Sequence, residues 1–134
     1  ASRQFKETGD NIEVCRFRSA LQSAIGLAQA ANRYLDQKAP WRSIRTDRGD
    51  AAKTLWVSLS MINCLKTMLY PFLPFSSEKL HRMLGFDGSV QDAGWSWEPD
   101  ALRPGQRLGN PEHLFAKLDE DLIEGEMQRT ASLS

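Results

Sequence analysis

The sequence predicts an all-α fold, an antiparallel helical bundle, and three observations carry that expectation. Apolar residues recur at threes and fours over two long stretches. The breaks between them carry proline or glycine, and no stretch alternates apolar and polar residues as a half-buried strand does. The chain has 134 residues, 41% of them hydrophobic and 25% charged, enough for one domain that buries a core without staples.

The first long element carries Val14, Phe17, Leu21, Ala24, Ala28, Ala31 and Leu35 on one helical face. Ile12, Cys15, Ile25 and Leu27 widen that face, which predicts burial on more than one side. Its middle is small: Ser19, Ala20, Ser23, Ala24, Gly26, Ala28, Ala30 and Ala31. Small side chains allow a neighbouring helix to come close, so this is read as the central packing helix, with Gly26 costing about 1 kcal/mol relative to alanine. Pro40 ends it, because a residue before proline avoids the α region. Residues 42–49 form a basic connector, and Asp50 is the expected N-cap of a second helix from Ala51 to Tyr70. Leu55, Leu59, Ile62, Leu65 and Leu69 supply the buried stripe of that helix, with Trp56 and Met68 beside it.

Pro71 and Pro74 then bracket a hinge, and Ser76 or Ser77 caps a short helix from Ser77 to Leu84 that stops at Gly85. Residues 86–111, with Trp95, Trp97 and Leu108 among their glycines and prolines, read as an irregular connection laid over the bundle and pinned by the tryptophans. A last helix is expected from Asp119 to Gln128, with acids in the first turn where the helix dipole favours them. Residues 130–134 are expected to fray.

Formal net charge is zero, with 17 basic and 17 acidic side chains, but the charge is unevenly placed. Lys38, Arg42, Arg45, Arg48 and Lys53 face only Asp47 and Asp50 in the middle of the chain, whereas Glu112 to Glu126 is strongly acidic. Two solvated faces or the steering of a polyanion toward one end both fit this pattern. No apolar run approaches the roughly 20 residues that span a bilayer, and no signal-peptide pattern opens the chain. Cys15 and Cys64 have no metal-ligand spacing and are expected to be reduced core residues of a cytoplasmic protein.

Catalytic chemistry finds no material. His81 and His113 stand apart from any triad or metal pattern, and ordinary surface or capping roles are expected for both. No Gly-rich phosphate loop, nucleophile elbow or metalloprotease motif occurs, and no metal site is expected.

Binding has better material in Ala39-Pro40-Trp41. Proline fixes its own backbone torsion, so the neighbouring indole is held on a stiff corner with basic residues after it. Such an indole either plugs the helix end from inside or stacks on an unpaired nucleotide base, the way proteins commonly read single-stranded RNA.

The segment Asn32-Arg33-Tyr34-Leu35-Asp36-Gln37-Lys38-Ala39-Pro40-Trp41 closely resembles the N-x-Y-x-D-x-x-x-P-W stretch of methionyl-tRNA synthetases. The small-residue helix from Arg16 to Ala31, the turn from Leu73 to Leu80 and the stretch from Pro111 to Leu118 resemble the same branch, in the family's order and over almost the whole chain. The resemblance implies a helical anticodon-binding domain over residues 1–134, recognising the CAU anticodon of the methionine tRNA for an enzyme that attaches methionine to it with ATP. It implies that Trp41 stacks on the first anticodon base, that Pro40 shapes the corner, and that Asn32 belongs to the motif. Tyr34 and Asp36 belong to it as well, and for these two and Asn32 a structural role, holding the helix end to its neighbour, is equally open. Arg33, Lys38, Arg42 and Arg45 are added from charge and proximity as candidate phosphate contacts.

The catalytic motifs of such enzymes are absent, so the chain is expected to be non-catalytic. ATP and Mg2+, with a structural Zn as an option, would belong to the catalytic domain of the same protein. The family's Asn-x-x-x-Arg helix is also expected to be lacking, which would leave an apolar face open to self-association. Two alternatives remain at this point. One is the anticodon-binding domain of another class I synthetase, such as the isoleucine, valine, leucine or cysteine enzymes. The other is a helical protein-interaction module with no nucleic-acid role, in which Trp41 would be buried.

Overall fold

A computed structural model describes residues 1–116 and Arg129. It contains six helices among those residues: α1 (Ser2–Glu13), α2 (Phe17–Lys38), α3 (Pro40–Ser43), α4 (Arg48–Leu69), α5 (Pro74–Met83) and α6 (Val90–Ala93). No strand occurs among them, and the expected all-α class holds. The helix expected at Asp119–Gln128 and the tail at 130–134 lie outside the described residues.

The first expected helix is broken near its start: its Ile12 belongs to a separate, unexpected helix, α1, and its face from Phe17 onward to α2. α1 stops at Glu13, and Cys15 adopts a left-handed conformation (φ 56°). The Cys15 N–H donates to Ile12 O (2.9 Å) and the Arg16 N–H to Asn11 O (2.8 Å). That pair of bonds closes a helix C-terminus in the Schellman pattern. Glycine usually takes the left-handed position, and nothing in Val14-Cys15-Arg16 announces a stop, while the three-and-four spacing of apolar residues runs straight through it. Cys15 is therefore exposed rather than in the core, and Val14 (60%) and Phe17 (52%) are exposed with it. The chain folds back, and Gln4 of α1 comes to lie beside Gly26 of α2, as in an antiparallel pair.

α2 and α4 also run antiparallel. Lys38 and Asp50 meet near their connection, while Ala24 and Leu27 share the core with Cys64, Leu65 and Met68 much further along both helices. Ala20 and Ala24 are fully buried, as expected of a small-residue packing helix. Leu27 and Met68 are the largest fully buried side chains, and each contributes about 1.5–3 kcal/mol by leaving water. Burial pushes the Cys64 thiol up to about 12, so it is an unreactive core group.

α4 begins three residues earlier than expected. Asp47 is the N-cap, accepting from the Asp50 N–H at 2.9 Å, and Asp50 stands inside the first turn. The expected leucine stripe does not face the core along its whole length. Leu55 is 44% exposed and Leu59 and Ile62 are half-buried, whereas Ala51, Thr54 and Ser58 are buried. The Thr54 and Ser58 hydroxyls donate to Asp50 O and Thr54 O one turn back, which lets them pack without an unpaired donor.

α5 starts at Pro74, in the first helical position where its missing N–H costs nothing. Ser77 is buried inside the helix rather than capping it. His81 is buried (3% exposed) rather than at the surface. Its Nδ1 lies 3.1 Å from Lys66 Nζ and its Nε2 3.0 Å from Asp87 O. Nε2–H donating to the carbonyl leaves Nδ1 to accept from the ammonium.

The connection after α5 is irregular apart from α6, and the tryptophans pin it as expected. Trp97 Nε1–H donates to Ser60 O (3.2 Å), and Trp95 stacks on Phe5 with ring centres 5.0 Å apart. The returning chain also crosses the end of α5. The Gly109 N–H donates to Met83 O (2.9 Å) and Gln106 Nε2 to Leu84 O (2.6 Å), satisfying carbonyls that a helix end leaves without partners. Gly85 makes that crossing possible. It has φ +76°, and an added Cβ would stand 2.1 Å from Arg107 O.

Two stability predictions follow from these packings. Gly85→Ala combines a left-handed alanine with a backbone clash and should cost more than about 2 kcal/mol in chemical denaturation. Lys66, pushed down to about 8 by burial against a normal 10.5, loses its proton in the fold before it would in the unfolded chain. Through Lys66 the unfolded state therefore binds more protons between those values, and stability should rise by about 1 kcal/mol from pH 8 to pH 9, above which the buried Cys64 thiol keeps its proton in the fold and opposes the rise. Lys66→Met should remove this rise and leave stability at neutral pH within about 1 kcal/mol of the parent, as read from urea midpoints at several pH values.

Candidate nucleic-acid interface

The corner between α2 and α4 is built by Ala39. It takes the left-handed conformation (φ 42°, ψ 59°), closes α2 through its N–H to Leu35 O (2.8 Å), and immediately starts α3. Pro40 occupies the first position of α3 and is buried. Its fixed φ suits a helix start, so the chain resumes a helical turn where a loop was expected. Ile44 N–H donates to Pro40 O (3.0 Å) and Ser43 N–H to Ala39 O (3.3 Å).

Trp41, next along, is 56% exposed. A packing plug would have buried the indole; here the proline is the plug and the indole stands outside. In this turn Trp41, Ile44 and Arg45 share one face, being three and four residues apart. Ile44 is 47% exposed and Arg45 is exposed. Ile44 was not legible as part of the site, because its place depends on the helical turn that Pro40 initiates. Arg48, exposed in the first turn of α4, extends the same basic margin.

Electrostatics sort the predicted cations. Lys38 is engaged, with its Nζ 3.3 Å from Asp50 Oδ1. The Asp47 carboxylate caps α4, so both acids of the segment are occupied. Arg33, Arg42, Arg45, Arg48 and Lys53 are exposed and have no carboxylate within 4.0 Å among the described residues. The corner thus carries an exposed indole amid guanidinium groups without a carboxylate within 4.0 Å among the described residues.

Asn32 is exposed on α2, one or two turns before the corner. It continues the row Phe17, Leu21, Ile25 and Ala28, and its side chain makes no hydrogen bond with another described residue. Tyr34 is half-buried and Asp36 exposed. The structure thus brings Trp41, Arg42 and Arg45 together at one corner and holds Lys38 beside Asp50. Among the described residues no group of three or more His, Cys, Asp or Glu is arranged to hold a metal ion, and no helix is long and apolar enough to cross a membrane.

Comparison with known proteins agrees with this architecture. The profile of the family described as the anticodon binding domain of methionyl tRNA ligase matches residues 2–133. A methionine–tRNA ligase of Dehalococcoides mccartyi is 42% identical over 123 residues, covering 92% of this chain and 22% of the relative. Those of Roseiflexus sp. and Thermomicrobium roseum are 36% and 37% identical, covering 93% and 97% of the chain. The chain spans about a quarter of the length of these relatives. It belongs to the family of anticodon-binding domains of methionyl-tRNA ligases.

Proposed function

We propose that residues 1–134 form the unit that recognises the anticodon loop of the methionine tRNA, within a protein that attaches methionine to that tRNA with ATP. The observation that carries this reading is the exposed Trp41 on the Pro40 corner, set among guanidinium groups with no carboxylate partner among the described residues. An anticodon loop offers what that corner lacks: an unstacked base face for the indole and phosphates for the cations. Trp41 stacks on the first anticodon base, Pro40 fixes the angle at which the indole is held, and Asn32 contributes to anticodon binding from α2. Arg33, Arg42 and Arg45 contact phosphate. Lys38, already paired with Asp50, contributes less. Catalysis, with ATP and Mg2+ and a structural Zn as an option, belongs to the catalytic domain of the same protein, which works in the cytoplasm.

The reading also gives a role to the misplaced leucine stripe. Phe17, Leu21 and Ile25 follow one another at four-residue steps on α2, and Leu55, Leu59 and Ile62 at four and three on α4. Phe17, Ile25 and Leu55 are 52%, 46% and 44% exposed. Each stripe lies about a quarter turn from its helix's buried face in the same rotational sense. In an antiparallel pair such offsets fall on one side, here the side away from α1. The relatives are about four times as long as this chain, and we propose that another segment of the parent protein covers this apolar side, ending beside Asn32. Left alone, the chain would pair with itself there.

In the full-length parent, an anticodon stem-loop with CAU should bind more tightly than one with a changed first base. Trp41→Ala should raise the CAU dissociation constant by about 5–150-fold, the equivalent of one lost base stack. Affinity should fall steeply with salt, and less steeply in an Arg42→Gln, Arg45→Gln double variant. Equal binding of both loops by the parent would sink the reading.

Leu55→Ser should cost less than about 0.5 kcal/mol in the 134-residue chain and reduce its concentration-dependent self-association in sedimentation. In the parent the same change should cost about 1–3 kcal/mol. Equal cost in both would mean that no other part of the protein covers Leu55.

A further inference from the structure

A second polar feature lies at the far end of α4, about 27 Å along that helix from Arg48, and recognition at the Trp41 corner does not use it. Lys66 is 5% exposed, and a buried ammonium is normally held by a carboxylate. Here none lies within 4.0 Å among the described residues. The Lys66 ammonium has the Nδ1 of His81 at 3.1 Å and the face of the Phe86 ring at 4.5 Å. An ammonium has three N–H donors, so these contacts leave at least one without an acceptor.

The same side chain lines a cavity of about 190 Å³ between α4, α5 and the connection that carries the tryptophans. Asn63, Thr67, His81, Ser96 and Trp97 contribute to its wall. Two carboxylates stand near. Glu78 is turned to the Val90 N–H, which it accepts at 3.0 Å. Glu98 is exposed and lines the cavity without reaching the ammonium.

We infer that this cavity is a binding site for a small oxyanion, of the phosphate or carboxylate class, held by Lys66 with the Asn63 amide and the Thr67 hydroxyl as its neutral donors; the Ser96 hydroxyl already donates to Ala93 O (3.1 Å) and only lines the wall. An anion would supply the acceptor that the ammonium lacks, and the volume of about 190 Å³ admits a tetrahedral oxyanion with a water or two. Glu98 sets the affinity from the rim, because its charge opposes an incoming anion. The site is separate from the Trp41 corner and stands whether or not that corner reads RNA.

Inorganic phosphate is the probe, titrated into the 134-residue chain at constant ionic strength, with the Trp97 indole N–H followed by NMR. A saturable shift of that resonance is expected. Lys66→Met should weaken phosphate binding at least tenfold, and Glu98→Gln should tighten it several-fold. The second variant separates binding from folding, since a group with a purely structural part would not tighten a ligand on losing its charge. Acetate tested in the same way distinguishes a carboxylate site from a phosphate one, and saturation by either supports the inference. A shift that is linear in phosphate, or equal in the parent chain and Lys66→Met, overturns it, because that is how general salt effects on the surface behave.

Discussion

The antiparallel packing of α2 against α4 is the constraint on which the rest of the structure depends. Ala24 is fully buried at that contact, and Leu27 meets Cys64, Leu65 and Met68 beside it. A larger residue at Ala24 would push the helices apart, since a close-packed interior does not absorb extra volume without strain. Because the two helices are held side by side over 22 residues each, the chain between them must reverse within the few residues after Lys38. The left-handed Ala39 and the buried Pro40 make that reversal possible. The exposed Trp41 is therefore a consequence of core packing: the corner is stiff because both helices leading to it are fixed.

The other end of the pair is held differently. There the irregular connection supplies what the helices lack. It gives donors to the last carbonyls of α5 and acceptors to Trp56 and Ser60 of α4. It also lays Trp95 and Trp97 against Phe5 of α1. Gly9 permits the approach, since a Cβ there would stand 2.9 Å from the Trp95 indole nitrogen. This connection ties α4 and α5 by hydrogen bonds to and from its backbone and side chains, and α1 by ring packing. Polar groups are consequently buried at this end, Lys66 and His81 among them.

Legibility followed the kind of signal each feature depends on. Helix class, the small-residue packing of α2 and the stop at Gly85 follow from spacing and from a residue whose conformational freedom is distinctive. The break at Cys15 was hidden because a non-glycine residue occupies the left-handed position and the apolar spacing continues across it. The burial of His81 was hidden for a related reason: its partners, Lys66 and the Asp87 carbonyl, come from other parts of the chain. The orientation of the α4 leucines was misread because a stripe shows which residues share a face, not what that face meets. At the site, Trp41, Pro40 and the basic residues were visible as a cluster in sequence, while Ile44 and the engagement of Lys38 by Asp50 were not.

By itself, then, the sequence determined an all-α bundle, a proline-marked corner carrying an indole and a run of cations, and a likeness to one family, because those depend on local spacing and on residue types with narrow conformational choices. Only the tertiary structure decided that Trp41 points outward, which cations have no carboxylate partner among the described residues, and which apolar stripe those residues leave exposed. Those outcomes depend on what lies across from each side chain, and pairings between distant segments leave no periodicity for a single sequence to show.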